Sequence, residues 1–196
     1  KEIGIKPTPS IGGVGLIKDY KKMVTMDFKK IDNLVLVIGK TEGHIDQSLF
    51  ARSILDEKNG PPPEVNLFNE KNNGESLLDL INKNYIQSAH DISLGGLITA
   101  ISKMCIQGNK GIKLKKTNNF VNELEYLFSE DQGRYIIEIN PEDLKEVINI
   151  LDKNSVHYDE LGIITDKEMI INQKTKLTID ELKSYYTNWL TNYMSA

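Results

Sequence analysis

Six consecutive residues, Ser129-Glu130-Asp131-Gln132-Gly133-Arg134, bring together a hydroxyl, two carboxylates, an amide, a glycine and a guanidinium. Glu130 and Asp131 are candidates to hold magnesium on a nucleotide, because that ion takes oxygen ligands and keeps several waters. Arg134 is a candidate to grip a phosphate in bidentate fashion. The alternative is a solvated acidic turn whose arginine makes a surface ion pair of little worth. So dense a run of functional groups favours a functional reading.

A second cluster precedes it. An apolar run from Tyr85 to Ala89 reads as a buried strand, His90-Asp91 as a polar turn, and Ser93 as the cap of a helix whose first turn carries Gly95 and Gly96. Leu94, Leu97, Ile98, Ile101, Met104 and Cys105 recur at helical spacing. Strand, glycine-bearing turn and helix start make a candidate anion site, since free N–H groups and the helix dipole both favour phosphate. His90, Asp91, Ser93, Gly95 and Gly96 are its candidate residues, joined by Ser129, Gln132, Gly133 and Arg134 of the later loop. Against this, two glycines also let a helix pack closely on its strand, with Asp91 or Ser93 merely capping it.

The elements that must position these clusters alternate between α and β. Leu34–Ile38 is an uninterrupted apolar run, the mark of a strand covered on both faces. Leu49, Phe50, Ile54 and Leu55 suggest a helix, Asn59-Gly-Pro-Pro-Pro63 a stiff connector, and residues 76–82 a short helix. Gly111–Leu114 and Arg134–Ile139 read as strands, residues 121–128 as a helical turn or two, and Asn140-Pro-Glu-Asp143 as a helix start. Short strands follow around 156–165, 169–171 and 176–179. Thr178 with Glu181 then makes a capping box for a last helix. Its stripe of Leu182, Tyr185, Tyr186, Trp189, Leu190 and Tyr193 is expected to be core or a contact to a neighbouring domain. The fold class is therefore mixed α/β, with a mixed sheet and covering helices.

Composition narrows the function. A hydrophobic fraction of 39% supports a core without staples, and a net charge of −4 argues against nucleic acid as partner. Cys105, the single cysteine, sits on an apolar stripe and excludes an intramolecular disulfide. No spacing makes a zinc site or a nucleophilic triad, and His44 and His157 receive no role. No run is long and apolar enough for a membrane, so a cytoplasmic setting is expected. Residues 1–26, with Ile11–Ile17 as a glycine-bearing strand, read as the end of a preceding domain plus a linker, and residues 27–196 as the main domain. The segment Glu2–Ile17 is expected to pack poorly without its sheet partners.

Five motifs occur in order: Thr8-Pro-Ser-Ile-Gly-Gly-Val-Gly15, Gly43-His-Ile-Asp-Gln-Ser48, Gly60-Pro-Pro-Pro-Glu-Val65, Ser88-Ala-His-Asp-Ile-Ser-Leu-Gly-Gly-Leu97 and Phe128-Ser-Glu-Asp-Gln-Gly-Arg-Tyr135. Together they resemble the C-terminal part of the large subunit of the phosphoribosylformylglycinamidine synthase family, over essentially the whole chain. The resemblance implies an aminoimidazole-ribonucleotide-synthetase-like (PurM-like) C-terminal domain, in the second of two such copies. It implies a ligase of purine biosynthesis that uses ATP, magnesium and glutamine-derived ammonia to turn formylglycinamide ribonucleotide into its amidine. Implied partners are upstream domains of the same polypeptide, a glutaminase subunit and a small accessory subunit. The resemblance puts the catalytic groups upstream, so no catalytic residue is expected here and the chain alone should be inactive. Its nucleotide role is auxiliary at most, with Ser129–Arg134 as counterpart of the first copy's substrate-phosphate loop. Leu94 stands where the family usually has aspartate, and Asp46 where glycine is common. A non-catalytic nucleotide-binding or structural module of a related synthetase is the alternative.

Overall fold

The computed structural model describes residues 9–115 and 122–195. Seven strands form one sheet: β1 (Leu34–Ile38), β2 (Ile86–Asp91), β3 (Gly111–Leu114), β4 (Tyr135–Ile139), β5 (Tyr158–Thr165), β6 (Glu168–Ile171) and β7 (Thr175–Thr178). Their order is β2-β4-β1-β5-β3-β6-β7, antiparallel throughout except for the parallel pair β3–β6. Six α-helices accompany them: α1 (Leu49–Ser53), α2 (Leu67–Asn82), α3 (Gly96–Gly108), α4 (Glu123–Phe128), α5 (Leu144–Lys153) and α6 (Ile179–Ser195).

Strand alternation explains why β1 is apolar at every position. Val35 and Val37 point into a core formed with Leu97, Ile101 and Met104 of α3 and Tyr126 of α4. Leu36 and Ile38 point the other way, onto Leu80 of α2 and Val147 and Leu151 of α5. These four of the five β1 residues are fully buried, and Leu34 is partly so. The sheet is thus sandwiched between helices, as the unbroken apolar run requires.

Four local expectations need correction. Ile11–Ile17 forms no strand; among the described residues of that segment, Ile11, Val14 and Leu16 stand almost fully exposed. Residues 1–8 and Val121, on which parts of two expectations fall, lie outside the described residues. His90-Asp91 is not a turn but the end of β2, because its backbone pairs with Ile136 and Tyr135 of β4. The short helix expected over 76–82 begins at Leu67, where the Asn66 side chain accepts from the Phe68 and Asn69 N–H groups. Poor helix formers such as Asn72, Asn73 and Gly74 hide that first half from a propensity reading. Ser93 does not cap α3: its carbonyl accepts from Gly96 N, and the cap position belongs to Gly95 in a left-handed conformation.

One buried carboxylate ties the segment before β1 to the sheet. Glu138, on β4 and wholly buried, accepts from Lys29 N (2.8 Å), Lys30 N (3.0 Å), Asn33 Nδ2 (2.8 Å) and Ser88 Oγ (2.8 Å). Four donors replace the water that a buried anion would otherwise lose.

Candidate functional site

The loop between α4 and β4 is held by its own arginine. Arg134 is 1% exposed. It donates from Nη2 to Ser129 O (2.7 Å), from Nη1 to Thr41 Oγ1 (3.0 Å) and from Nε to Asp131 O (3.3 Å). Burial pulls its pKa down, while the Asp131 carboxylate 3.7 Å away opposes that shift. The guanidinium faces inward and organises the loop, which corrects its expected role as a phosphate grip.

The two carboxylates face backbone donors. Asp131 Oδ2 accepts from Glu42 N and Gly43 N, and Oδ1 from His44 N, each at 3.1 Å. Three successive N–H groups thus form an anion-holding concavity filled by the protein itself. Glu130 Oε1 accepts from Leu49 N (2.7 Å) and Gly95 N (2.8 Å), joining the first residue of α1 to the cap of α3. The dipole that made the α3 start attractive for phosphate is therefore answered by Glu130. Magnesium does not fit this pair, because both Asp131 oxygens and Glu130 Oε1 already accept from backbone N–H groups. Among the described residues no group of three or more acidic, histidine or cysteine side chains could hold a metal.

The structure does bring the two sequence clusters together. Gly96 lies against the end of α4, where an added Cβ would sit 2.7 Å from Ser129 O and from Phe128 C; its positive φ of 71° is a second reason for glycine. Gly133, also at positive φ, gives its carbonyl to Asn73 Nδ2 at 2.9 Å. Ser129 is fully buried with Oγ unpartnered. His90 Nδ1 lies 3.0 Å from Asp91 Oδ1, while its buried Nε2 has no partner.

Clefts open on both sides of the loop, and Gln132 lines each. The larger, about 580 Å³, is walled by Lys40, His44, Asn66, Asn69, Asn73 and His157. The smaller, about 200 Å³, runs past Asp46, Gln47, Ser93, Leu94 and Glu130. Sequence reasoning missed the asparagine wall. Its signal was available: residues 66, 69 and 73 recur at the spacing of one helix face. Glu42, Glu64, Glu70 and Asp131 also line the larger cleft against Lys40 alone, itself paired with Glu42 at 2.8 Å. Its field therefore opposes a polyanion.

Helices on both faces of a mixed sheet, with a glycine-opened helix set against a polar loop, define a mixed α/β domain with a polar junction. The chain belongs to the family of AIR synthase related proteins, through their C-terminal domain, whose model matches residues 30–172. Among curated relatives, subunit PurL of phosphoribosylformylglycinamidine synthase from Pelagibacter ubique is 69% identical over 99% of this chain and 27% of its own length. The same subunit from Bartonella henselae is 38% identical over 97% of the chain and 26% of its length. The chain thus spans about a quarter of the curated relatives it matches. Among solved structures, Thermotoga maritima PurL complexed with FGAR covers 83% of the chain and 29% of its own, with a TM-score of 0.68 at 17% identity. Its complex with ATP gives a TM-score of 0.63, over 83% of this chain and 27% of its own at 17% identity. These structures show the shared fold.

Proposed function

We propose that the chain is the second synthetase-like C-terminal domain of a phosphoribosylformylglycinamidine synthase large subunit acting in cytoplasmic purine biosynthesis. Residues 1–26 would finish a preceding domain and link it to residues 27–196. The 69% identity across the chain, motifs included, carries this reading. The whole enzyme would aminate formylglycinamide ribonucleotide with ATP, magnesium and glutamine-derived ammonia, assisted by a glutaminase and a small accessory subunit. Relatives of this fold complexed with ATP and with FGAR support the substrate class, and a PurLQS structure supports assembly with other subunits.

In this domain the nucleotide-facing surface would be the two clefts beside loop 129–134. Gln132 is presented to both, His90, Asp91 and Ser93 lie at the end of β2 and beyond, and Ser129, Gly133, Gly95 and Gly96 shape the junction. An auxiliary nucleotide would be held only weakly there, because the acidic lining of the larger cleft opposes its phosphates. The chain alone should form no amidine from formylglycinamide ribonucleotide, ATP and ammonia, whereas the chain joined to the preceding part of the Pelagibacter relative should. Activity of the chain alone, or inactivity of the joined polypeptide, would overturn the reading. Millimolar magnesium-ADP should raise the melting temperature of the chain by much less than the roughly 5–10 °C that a ligand at ~100 times its Kd gives a protein of this size.

A further inference from the structure

Among the described residues, nothing covers the far end of α6. The helix is anchored at its start, where Ile179 is buried, Leu182 packs on the α3 core, Thr178 and Glu181 cap each other and Lys183 Nζ reaches Asn109 Oδ1 at 2.7 Å. From Ser184 to Ser195 every residue is exposed. These three turns, about 18 Å of helix, carry no charged residue. They present Tyr185, Tyr186, Trp189, Leu190, Tyr193 and Met194, each 59–79% exposed, with Trp189 and Tyr193 stacked at 5.4 Å.

Such a segment is out of place in water. Thr187, Asn188, Thr191 and Asn192 are poor helix formers, and helices this short depend on packing for stability. The six apolar side chains offer on the order of 700 Å², close to one side of a standard interface and above the usual largest patch on a monomer.

We infer that α6 from Ser184 onward is a docking helix for the preceding part of the same polypeptide, an inference that rests on the function proposed above. Two observations select that occupant. About three-quarters of the 69% identical relative lies outside the match. The face also lacks charge, and charged rims are what steer freely diffusing partners to one another. A covalently linked neighbour needs no steering, because the linkage itself supplies a high effective concentration, and permanent interfaces are the more apolar class.

Trp189 is the single tryptophan of the chain and reports on the face directly. Its oxidation, followed by peptide mass spectrometry, is measured in the 196-residue chain and in the chain joined to the preceding part of the Pelagibacter relative. The expected result is fast oxidation in the chain alone and at least about fivefold slower oxidation in the joined polypeptide. Trp189→Lys is expected to lower the melting temperature of the joined polypeptide and leave that of the chain unchanged. Equal reactivity in both would overturn the inference. So would protection of the chain alone that grows with its concentration, which means a second copy, or protection only on adding a separate glutaminase subunit. Amidine formation by a joined polypeptide with reactive Trp189 would sink this inference and keep the function. Protection without amidine formation would do the reverse.

Discussion

Loop 129–134 and the outer half of α6 have exchanged the places their compositions suggest. The loop is rich in charge, yet Arg134 is buried and both carboxylates are occupied by backbone N–H groups. The helix is aromatic and uncharged from Ser184 onward, yet lies in solvent. The charged groups of the loop go inside because each finds partners, the low dielectric strengthening their network, although Ser129 Oγ stays unpaired. Apolar groups remain outside when no surface within reach can cover them. The contrast teaches that saturation of partners, rather than polarity, decides which region is available for binding.

The strongest way to break this contrast is to remove the centre of the loop. Arg134→Ala strips donors from Ser129 O, Thr41 Oγ1 and Asp131 O and leaves Asp131 without its cation. Removing one partner of a buried pair costs about 3–5 kcal/mol, a melting drop on the order of 10 °C for a chain of this length. Arg134→Lys should recover only part of it, for want of the forked donors. A drop below about 2 °C in thermal melts would mean that the network does not hold the loop.

A smaller effect is expected from Glu130→Gln, which keeps an acceptor but removes the charge at the α3 start. The dipole interaction it loses is about 0.5–1 kcal/mol. Urea unfolding should register that loss, and native hydrogen exchange should place it at the Leu49 and Gly95 amides. Unchanged exchange at both would show that Glu130 is a bystander.

The least effect, and the one that sharpens the comparison from the helix side, concerns Glu181. Hydrogen bonds from the Thr178 backbone N–H and then from its hydroxyl hold this carboxyl below its ordinary pKa. A depressed folded-state pKa contributes stability that is full above the ordinary glutamate value of about 4.3 and is lost as pH falls through the lowered one. Helix content measured by circular dichroism should therefore decline slightly as the solution is acidified below that range. Glu181→Gln should flatten that decline; an identical acid profile would remove the cap from the account.

The strands with the clearest local pattern were legible: β1 from its unbroken apolar run, β3 and β4 from their bounds, and the α6 start from Thr178 and Glu181. Loop 129–134 was legible as a dense polar cluster, but not what its side chains face. The partners of Glu130 and Asp131 are N–H groups of residues 42–44, 49 and 95, and every residue but proline carries an N–H, so the donors leave no mark in the sequence. The aromatic stripe of α6 announced a helix and left its side open between core and contact, because periodicity reports a face and not what covers it. Strand order was hidden for the same reason, since it is decided by pairings between distant segments.

That strand order bears on how the chain comes to be folded. The apolar β1 is an interior strand of the sheet, and its neighbours β4 and β5 begin at Tyr135 and Tyr158. Of strands consecutive in sequence among the described residues, only β6 and β7 pair directly. A nascent chain therefore carries Leu34-Val-Leu-Val-Ile38 unpaired while roughly a hundred more residues are made, about 5–20 s at ordinary elongation rates. Contacts of such long sequence separation are slow to close. During that interval a strand that ends buried in the finished molecule is an exposed adhesive segment, and the ribosome-bound intermediate is the state in which a chaperone has the most to shield.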